Sequence, residues 1–165
     1  SYSSGNVSGN LSARGILNIG GLAGTLEGSG NISNCFATGN INARSGFAVY
    51  GGGLAGALLA SIANCYATGN VACTATAQTN NIGALGGVIS SNTTYTNCYR
   101  NSGAAITVNG QPATLTDASV TTPKTKAEMQ NNDFRDLLNS GTSVWGRDSG
   151  KNDGLPYIIG VGVGR

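Results

Sequence analysis

The chain has 165 residues, enough for one ordinary domain or a short repeat array. Only 10% of its residues are charged, against about 25% in an average domain. With 39% apolar residues and a net charge of +2, it lacks the composition of a disordered chain, and no basic run offers a nucleic-acid footprint. It has no histidine, which removes Ser-His-Asp and Cys-His catalysis and the commonest metal ligand.

The chain opens on SYSSGN at Ser1–Asn6, followed by Val7, a register that later segments repeat in full. A glycine-rich block, IGGLAG at Ile19–Gly24, comes next, and then Ile32, Asn34, Cys35 and Phe36 begin NCFATGN, which leads into Ile41. After Ala43–Tyr50 the order recurs as GGGLAG at Gly51–Gly56 and then Ile62, Asn64, Cys65 and Tyr66 in NCYATGN, leading into Val71. Beyond Thr74–Asn81 a degenerate third copy carries GGVIS at Gly86–Ser90, then Tyr95, Asn97, Cys98 and Tyr99. Cys35, Cys65 and Cys98 lie 30 and 33 residues apart. A period of this length is the mark of a stacked repeat, because a unit so short buries its apolar face only against its neighbours. Short alternating runs punctuated by Gly, Asn and Ser read as strands and turns. The segments Ala43–Tyr50 and Thr74–Asn81 read as loops on one face.

Strict strand alternation puts Ile32 and Asn34 on one face and Cys35 on the other. Ile32, Cys35 and Phe36 then cannot all face inward from a flat strand, so a corner is required between Asn34 and Phe36. The spacing leaves open which residue takes the bend. The expected core is Leu22, Ile32, Phe36, Leu54, Ile62, Tyr66, Val88 and Tyr99.

The texture changes near Gln111–Thr116. Before Asp117 the only acid is Glu27 and the only bases are Arg14, Arg44 and Arg100. A boundary is drawn there, giving a repeat region over 1–111 and a closing module over 112–165. Thr125 and Glu128 form a capping box, followed by an apolar stripe of Met129, Phe134, Leu137 and Leu138, with Gly141 as the stop. Asp133 and Asp136 allow a second short helix. Trp145 and Leu155–Ile159 supply the surface on which it packs. Open solenoid ends invite aggregation, so this module reads as an end cap.

Chemistry at the repeat positions is sparse. No visible base or cation stands beside Cys35, Cys65 or Cys98 to lower a thiol pKa. Structural zinc sites need close C-x₂₋₄-C pairs, which the four cysteines lack. In a stacked sheet equivalent positions lie about 4.8 Å apart, which suits buried free thiols. The same separation admits a Cys35–Cys65 disulfide between coils. Asn34, Asn64 and Asn97, and separately Asn6, Asn40 and Asn70, read as asparagine ladders. Glu27 stands alone where a glycosidase needs paired carboxylates. The later acids, Asp117 among them, are accounted for by caps and solvated turns, with Asp148, Asn152 and Asp153 offering at most a loop for a cation.

These residues resemble the GLUG repeat, with its Gly-Leu-x-Gly core at Gly21-Leu22-Ala23-Gly24 and Gly53-Leu54-Ala55-Gly56. The third copy departs from it at Gly87-Val88-Ile89-Ser90. The stretch from Lys126 to Ile158 looks like the closing module that tends to follow such repeats. The resemblance implies an all-β fold, a parallel β-solenoid of about three to four stacked repeats with a small α+β capping module. It implies a non-catalytic structural or adhesive segment of a large bacterial cell-surface or secreted protein. Flanking domains, an extracellular or cell-surface location and a host surface glycan or protein as partner are expected. No cofactor, nucleic acid or direct membrane insertion is expected. The alternatives are an accessory region of a secreted protease or glycan-active enzyme, or a carbohydrate-binding module working through the loops.

Overall fold

The structure, a computed structural model, describes residues 1–77 and 80–162. The first coil contains β1 (Tyr2–Ser3), β2 (Val7–Leu11), β3 (Ile16–Gly20) and the first half of β4 (Ala23–Ala37). β4 bends at an irregularity between Glu27 and Asn31, and its second half opens the next coil. That coil continues through β5 (Ile41–Ser45), β6 (Ala48–Gly52) and the first half of β7 (Ala55–Ala67). The third runs from the second half of β7 through β8 (Val71–Ala75), β9 (Asn81–Ile82) and β10 (Gly86–Ile89), and a partial fourth has β11 (Tyr95–Asn101) and β12 (Ile106–Val108). Equivalent strands pair in parallel in the orders β1-β4-β7-β11, β2-β5-β8-β12 and β3-β6-β9. This is the expected parallel β-solenoid. The segment Ala43–Tyr50, expected as a loop, is almost all strand, turning only at Gly46 and Phe47. In Thr74–Asn81, Gln78 and Thr79 lie outside the described residues.

The bend that the alternation demands falls on the asparagines. Asn34, Asn64 and Asn97 have φ of 54°, 54° and 50°, a left-handed conformation that Asn tolerates better than most residues. The bend resets the alternation, so Ile32 and Cys35 both face the interior and Phe36 faces out. The strict-alternation reading, with Ile32 and Cys35 on opposite faces, is therefore overturned. Inside the coils, Cys35, Leu54, Leu58, Ile62, Cys65, Leu85 and Cys98 form one core, and Ile19, Ile41, Val49, Val71, Cys73 and Ile82 form another.

The expected core divides accordingly. Leu54 and Ile62 are fully buried inside, whereas Leu22 and Ile32, their counterparts one coil earlier, are half-buried. Phe36, Tyr66 and Tyr99 are buried outside the solenoid wall, in a separate aromatic core. Val88 is only half-buried, and Leu85 takes the interior place in its coil.

After β12 the chain reverses into β13 (Gln111–Pro112), antiparallel to β12, and then β14 (Thr122–Lys124) pairs in parallel with β11. The solenoid sheet thus continues past the composition break. Next come α1 (Lys126–Met129) and α2 (Asn132–Asn139), the two short helices expected, then β15 (Trp145–Gly146) and β16 (Tyr157–Ile158) as an antiparallel pair. The capping box forms as read: Glu128 N donates to Thr125 Oγ1 at 3.2 Å, and Thr125 N donates to Glu128 Oε2 at 2.7 Å. Met129, Phe134 and Leu138 are buried while Leu137 is exposed, so the stripe is narrower than expected.

The start of the module closes the end of the solenoid as expected, with Leu115 and Ala113 packed on the two interior cores and the Asp117 carboxylate on the amides of the last corner. The larger part, from Lys126 on, does not plug that end but lies along the flank, over the aromatic column that faces out from successive coils. Tyr2, Phe36 and Tyr66 stack in parallel with centroids 5.0 and 5.1 Å apart. Trp145 sits 5.8 and 5.7 Å from Phe36 and Tyr66, and Phe134 meets Tyr66 and Tyr99 edge-on at 5.6 and 5.1 Å.

Candidate functional site

The Gly-Leu-x-Gly segments are the corners where each coil hands its backbone to the next. Gly21 N and Leu22 N donate to the carbonyls of Gly53 and Leu54, each at 2.9 Å, and Gly53 N and Leu54 N donate to those of Ala84 and Leu85, each at 2.9 Å. A Cβ on Gly53 would collide with the Ala84 carbonyl oxygen, and one on Gly56 with the backbone of Ile19 and Tyr50. Gly24 occupies the Gly56 position one coil earlier and is exposed. The register pairs Ala55 with Gly86 and Ala57 with Val88. The third copy of the core is therefore Ala84-Leu85-Gly86-Gly87, three residues earlier than the expected Gly87-Val88-Ile89-Ser90. Ala84 is tolerated at a glycine position because no further corner stacks on it.

What stands there instead is Asp117, which is fully buried. Its carboxylate accepts from Ala84 N at 3.0 Å and from Leu85 N and Gly86 N at 2.7 and 3.0 Å. These are the three donors that, one coil earlier at Gly53, Leu54 and Ala55, reach the carbonyls of the following coil. Asp117 is thus a ladder terminus rather than a solvated turn, correcting the earlier reading. Its signal in the sequence was spacing, since it follows Ala84 by 33 residues, the same interval that separates Cys65 from Cys98. Thr121 Oγ1 holds the Asp117 carbonyl at 2.8 Å.

The Asn-Cys-aromatic positions stack in register: Cys35 opposite Cys65, and Cys65 opposite Cys98. All four cysteines are buried free thiols, so the Cys35–Cys65 bridge is not formed. Sγ of Cys35, Cys65 and Cys98 donates to the carbonyl two residues back, at 3.4, 3.2 and 3.4 Å. Burial pushes the Cys98 and Cys73 thiols up to about 12. Hydrogen bonding within the first pair, more than burial, raises Cys65, and the same bonding lowers Cys35.

The asparagines do not form two uniform ladders. Asn97 Nδ2 donates to Asn64 Oδ1 at 3.0 Å, but Asn34 Oδ1 accepts from Trp145 Nε1 at 3.0 Å and so ties the module to the stack. In the other column each amide oxygen caps the backbone of the following coil. Asn40 N donates to Asn6 Oδ1 at 2.8 Å, Asn70 N to Asn40 Oδ1 at 2.9 Å and Ala105 N to Asn70 Oδ1 at 2.8 Å.

Further ties hold the flank. Tyr66 donates its hydroxyl proton to the Pro156 carbonyl at 2.6 Å, and Asn152 Nδ2 donates to Tyr66 Oη at 3.2 Å. Burial holds the Tyr66 hydroxyl well above the usual phenol range. Asp153 is taken by Lys126 at 2.6 Å, and the Asn152 amide is committed to Tyr66 and Pro156, so the Asp148–Asn152–Asp153 loop is not a cation cage. Among the described residues no group of three His, Cys, Asp or Glu side chains is placed to hold a metal ion, and no helix is long and apolar enough to cross a membrane. Glu27 is exposed and far along the sequence from any other acid.

The GLUG motif matches residues 15–42 and 48–72. No curated protein matches the chain. Among solved structures it is similar to a Bacteroides ovatus protein described as a "putative immunoglobulin A1 protease", at 18% identity and a TM-score of 0.45. That similarity covers 96% of this chain and 56% of the other, so the chain spans little more than half of that protein's length.

Proposed function

We propose that this GLUG-repeat protein is a non-catalytic scaffold, a β-solenoid stalk or adhesion support within a large bacterial cell-surface or secreted protein. The observation that carries this reading is the unbroken lattice. Successive coils receive one another's corner amides and asparagine caps in register, Cys35, Cys65 and Cys98 align through the later coils, and the aromatic column is clamped from outside. Such a stack is stiff along its axis and adds about 4.8 Å per coil, which suits a spacer. The absence of histidine and the single exposed carboxylate on the complete coils support a role without chemistry.

Adhesive contacts, with a host glycan or protein as partner, would fall on the corners rather than on the flat sheets. Phe47 is 40% exposed at the β5–β6 corner, beside Arg14 and Gly15. The test is twofold. Antibody against the chain should label intact cells or culture medium of the source organism, and confinement to the cytoplasm would refute the proposal. A glycan and matrix-protein screen should return binders weakened by Phe47→Ser; a screen with no binder leaves a spacer without adhesive function. A zinc-protease motif in flanking sequence would make the stack an accessory region of an enzyme instead.

A further inference from the structure

Arg100 is out of keeping with its place in the stack. The register sets it opposite Ala67, which is itself opposite Ala37, and both alanines face the interior core. The last coil therefore turns an arginine toward the end of the solenoid interior where the preceding coils turn a methyl group. Its Nε is shut off from solvent and has no hydrogen-bond partner among the described residues. No carboxylate pairs with it among the described residues either, and the buried acid of this end of the solenoid, Asp117, spends its oxygens on the Ala84–Gly86 amides. A buried donor left unmade is costly. Shut off as it is, this Nε lies behind the terminal guanidinium nitrogens, which are the donors a ligand entering from solvent meets and which make no ion pair among the described residues.

Arg100 lines a cleft of about 350 Å³ between β11–β12 and the returning segment at Pro112–Leu115. Its walls carry Ala104, Ala113 and Leu115, with Ser102 and Thr107 beside them, and no aromatic residue on which a sugar would stack. This volume sits at the small end of ligand pockets, roughly 300–1,000 Å³. Guanidinium offers a planar fork that matches a carboxylate with two parallel hydrogen bonds. We propose that this cleft binds a small aliphatic carboxylate, its oxygens on Arg100 and its hydrocarbon end against Ala104, Ala113 and Leu115. The carboxylate has two sources, a free short-chain acid or the terminus of a peptide ending in a small residue. The site goes beyond the scaffold role and stands whether or not the corners are adhesive.

Titration of the ¹⁵N-labelled chain followed by NMR tests this. Butyrate, acetyl-Ala-Ala with a free terminus, or both should shift Arg100 Nε–H and the amides of Ser102 and Ala105 saturably. Butyrate alone identifies the free acid, and the dipeptide alone identifies a chain end. The dipeptide amide should do nothing. Arg100→Ala restores the residue type of the two preceding coils, so it should fold, melt no lower than the parent, and weaken binding about tenfold or more, the loss of a charge-assisted bond. The proposal is overturned if neither carboxylate shifts these resonances, if inorganic phosphate binds as well as they do, or if Arg100→Ala lowers the melting temperature and leaves binding intact.

Discussion

Asp117 shows how a repeat array ends at a single residue. A solenoid corner has amides pointing along the axis, and the last corner has nothing to receive them. An unmade buried amide costs about 1–3 kcal/mol, so three would be prohibitive for one small array. A carboxylate has two oxygens with lone pairs enough for three donors, and in one side chain it replaces the Ala84 and Leu85 carbonyls of a further coil. Asp117→Asn keeps the shape but swaps one acceptor for a donor that faces Leu85 N or Ala84 N. It should cost about 1–3 kcal/mol in urea unfolding and speed amide exchange at Ala84, Leu85 and Gly86. An unchanged urea midpoint would show that the carboxylate is not what closes the ladder. The cysteines make a second point at this scale. Cys35 lies nearest the open first coil and has its thiol lowered, whereas Cys65, Cys73 and Cys98 have theirs raised. Thiolate is the reacting form, so iodoacetamide on the native chain should label Cys35 first. Earlier labelling of Cys65, read by peptide mass mapping, would reverse that order.

At the scale of the element, the corner explains why glycine recurs where it does. Gly53 faces the Ala84 carbonyl too closely for a side chain, while Ala84, with no corner beyond it, carries a methyl group without conflict. Gly53→Ala should therefore force the second and third coils apart and cost about 1–3 kcal/mol, as overpacking does. The reciprocal change, Ala84→Gly, removes only a methyl and adds backbone freedom, so its cost should stay near or below about 1 kcal/mol in the same melt. Equal losses from both would refute the corner argument. The repeat, its strands and the cysteine register were all legible in the sequence, because identical environments in successive coils select identical residues. The need for a bend near Asn34 was legible too, since only a bend reconciles Ile32, Cys35 and Phe36. The offset of the third corner was not, because Ala84 breaks the glycine signature once stacking no longer requires it. Nor was the direction of Phe36 and Tyr66, since a buried aromatic reads as core whichever side of the wall covers it.

At the scale of the molecule, two kinds of core are joined through one sheet wall. The interior cores are built from the coils and their hydrogen-bond ladders, with Leu115 and Ala113 of the returning segment packed against their end. The aromatic core is shared, with Phe36, Tyr66 and Tyr99 from the coils and Met129, Phe134, Leu138, Trp145, Leu155 and Ile158 from the flank module, and its ties are the Trp145–Asn34 and Tyr66–Pro156 hydrogen bonds. Removing Trp145 strikes only the shared core. Trp145→Ala should cost about 3–5 kcal/mol and loosen the flank module while the coils keep their ladders. Near-UV circular dichroism should then fall before the far-UV β signal, whereas in the parent chain the two should be lost together. Phe36 and Tyr66 would be uncovered as a contiguous apolar strip along the stack, a surface of the kind that drives association, so dye binding and oligomers should rise with the first step. If the far-UV signal of the variant instead collapses in that same step, the module is what folds the coils, and the stalk cannot be treated as a scaffold that merely carries it.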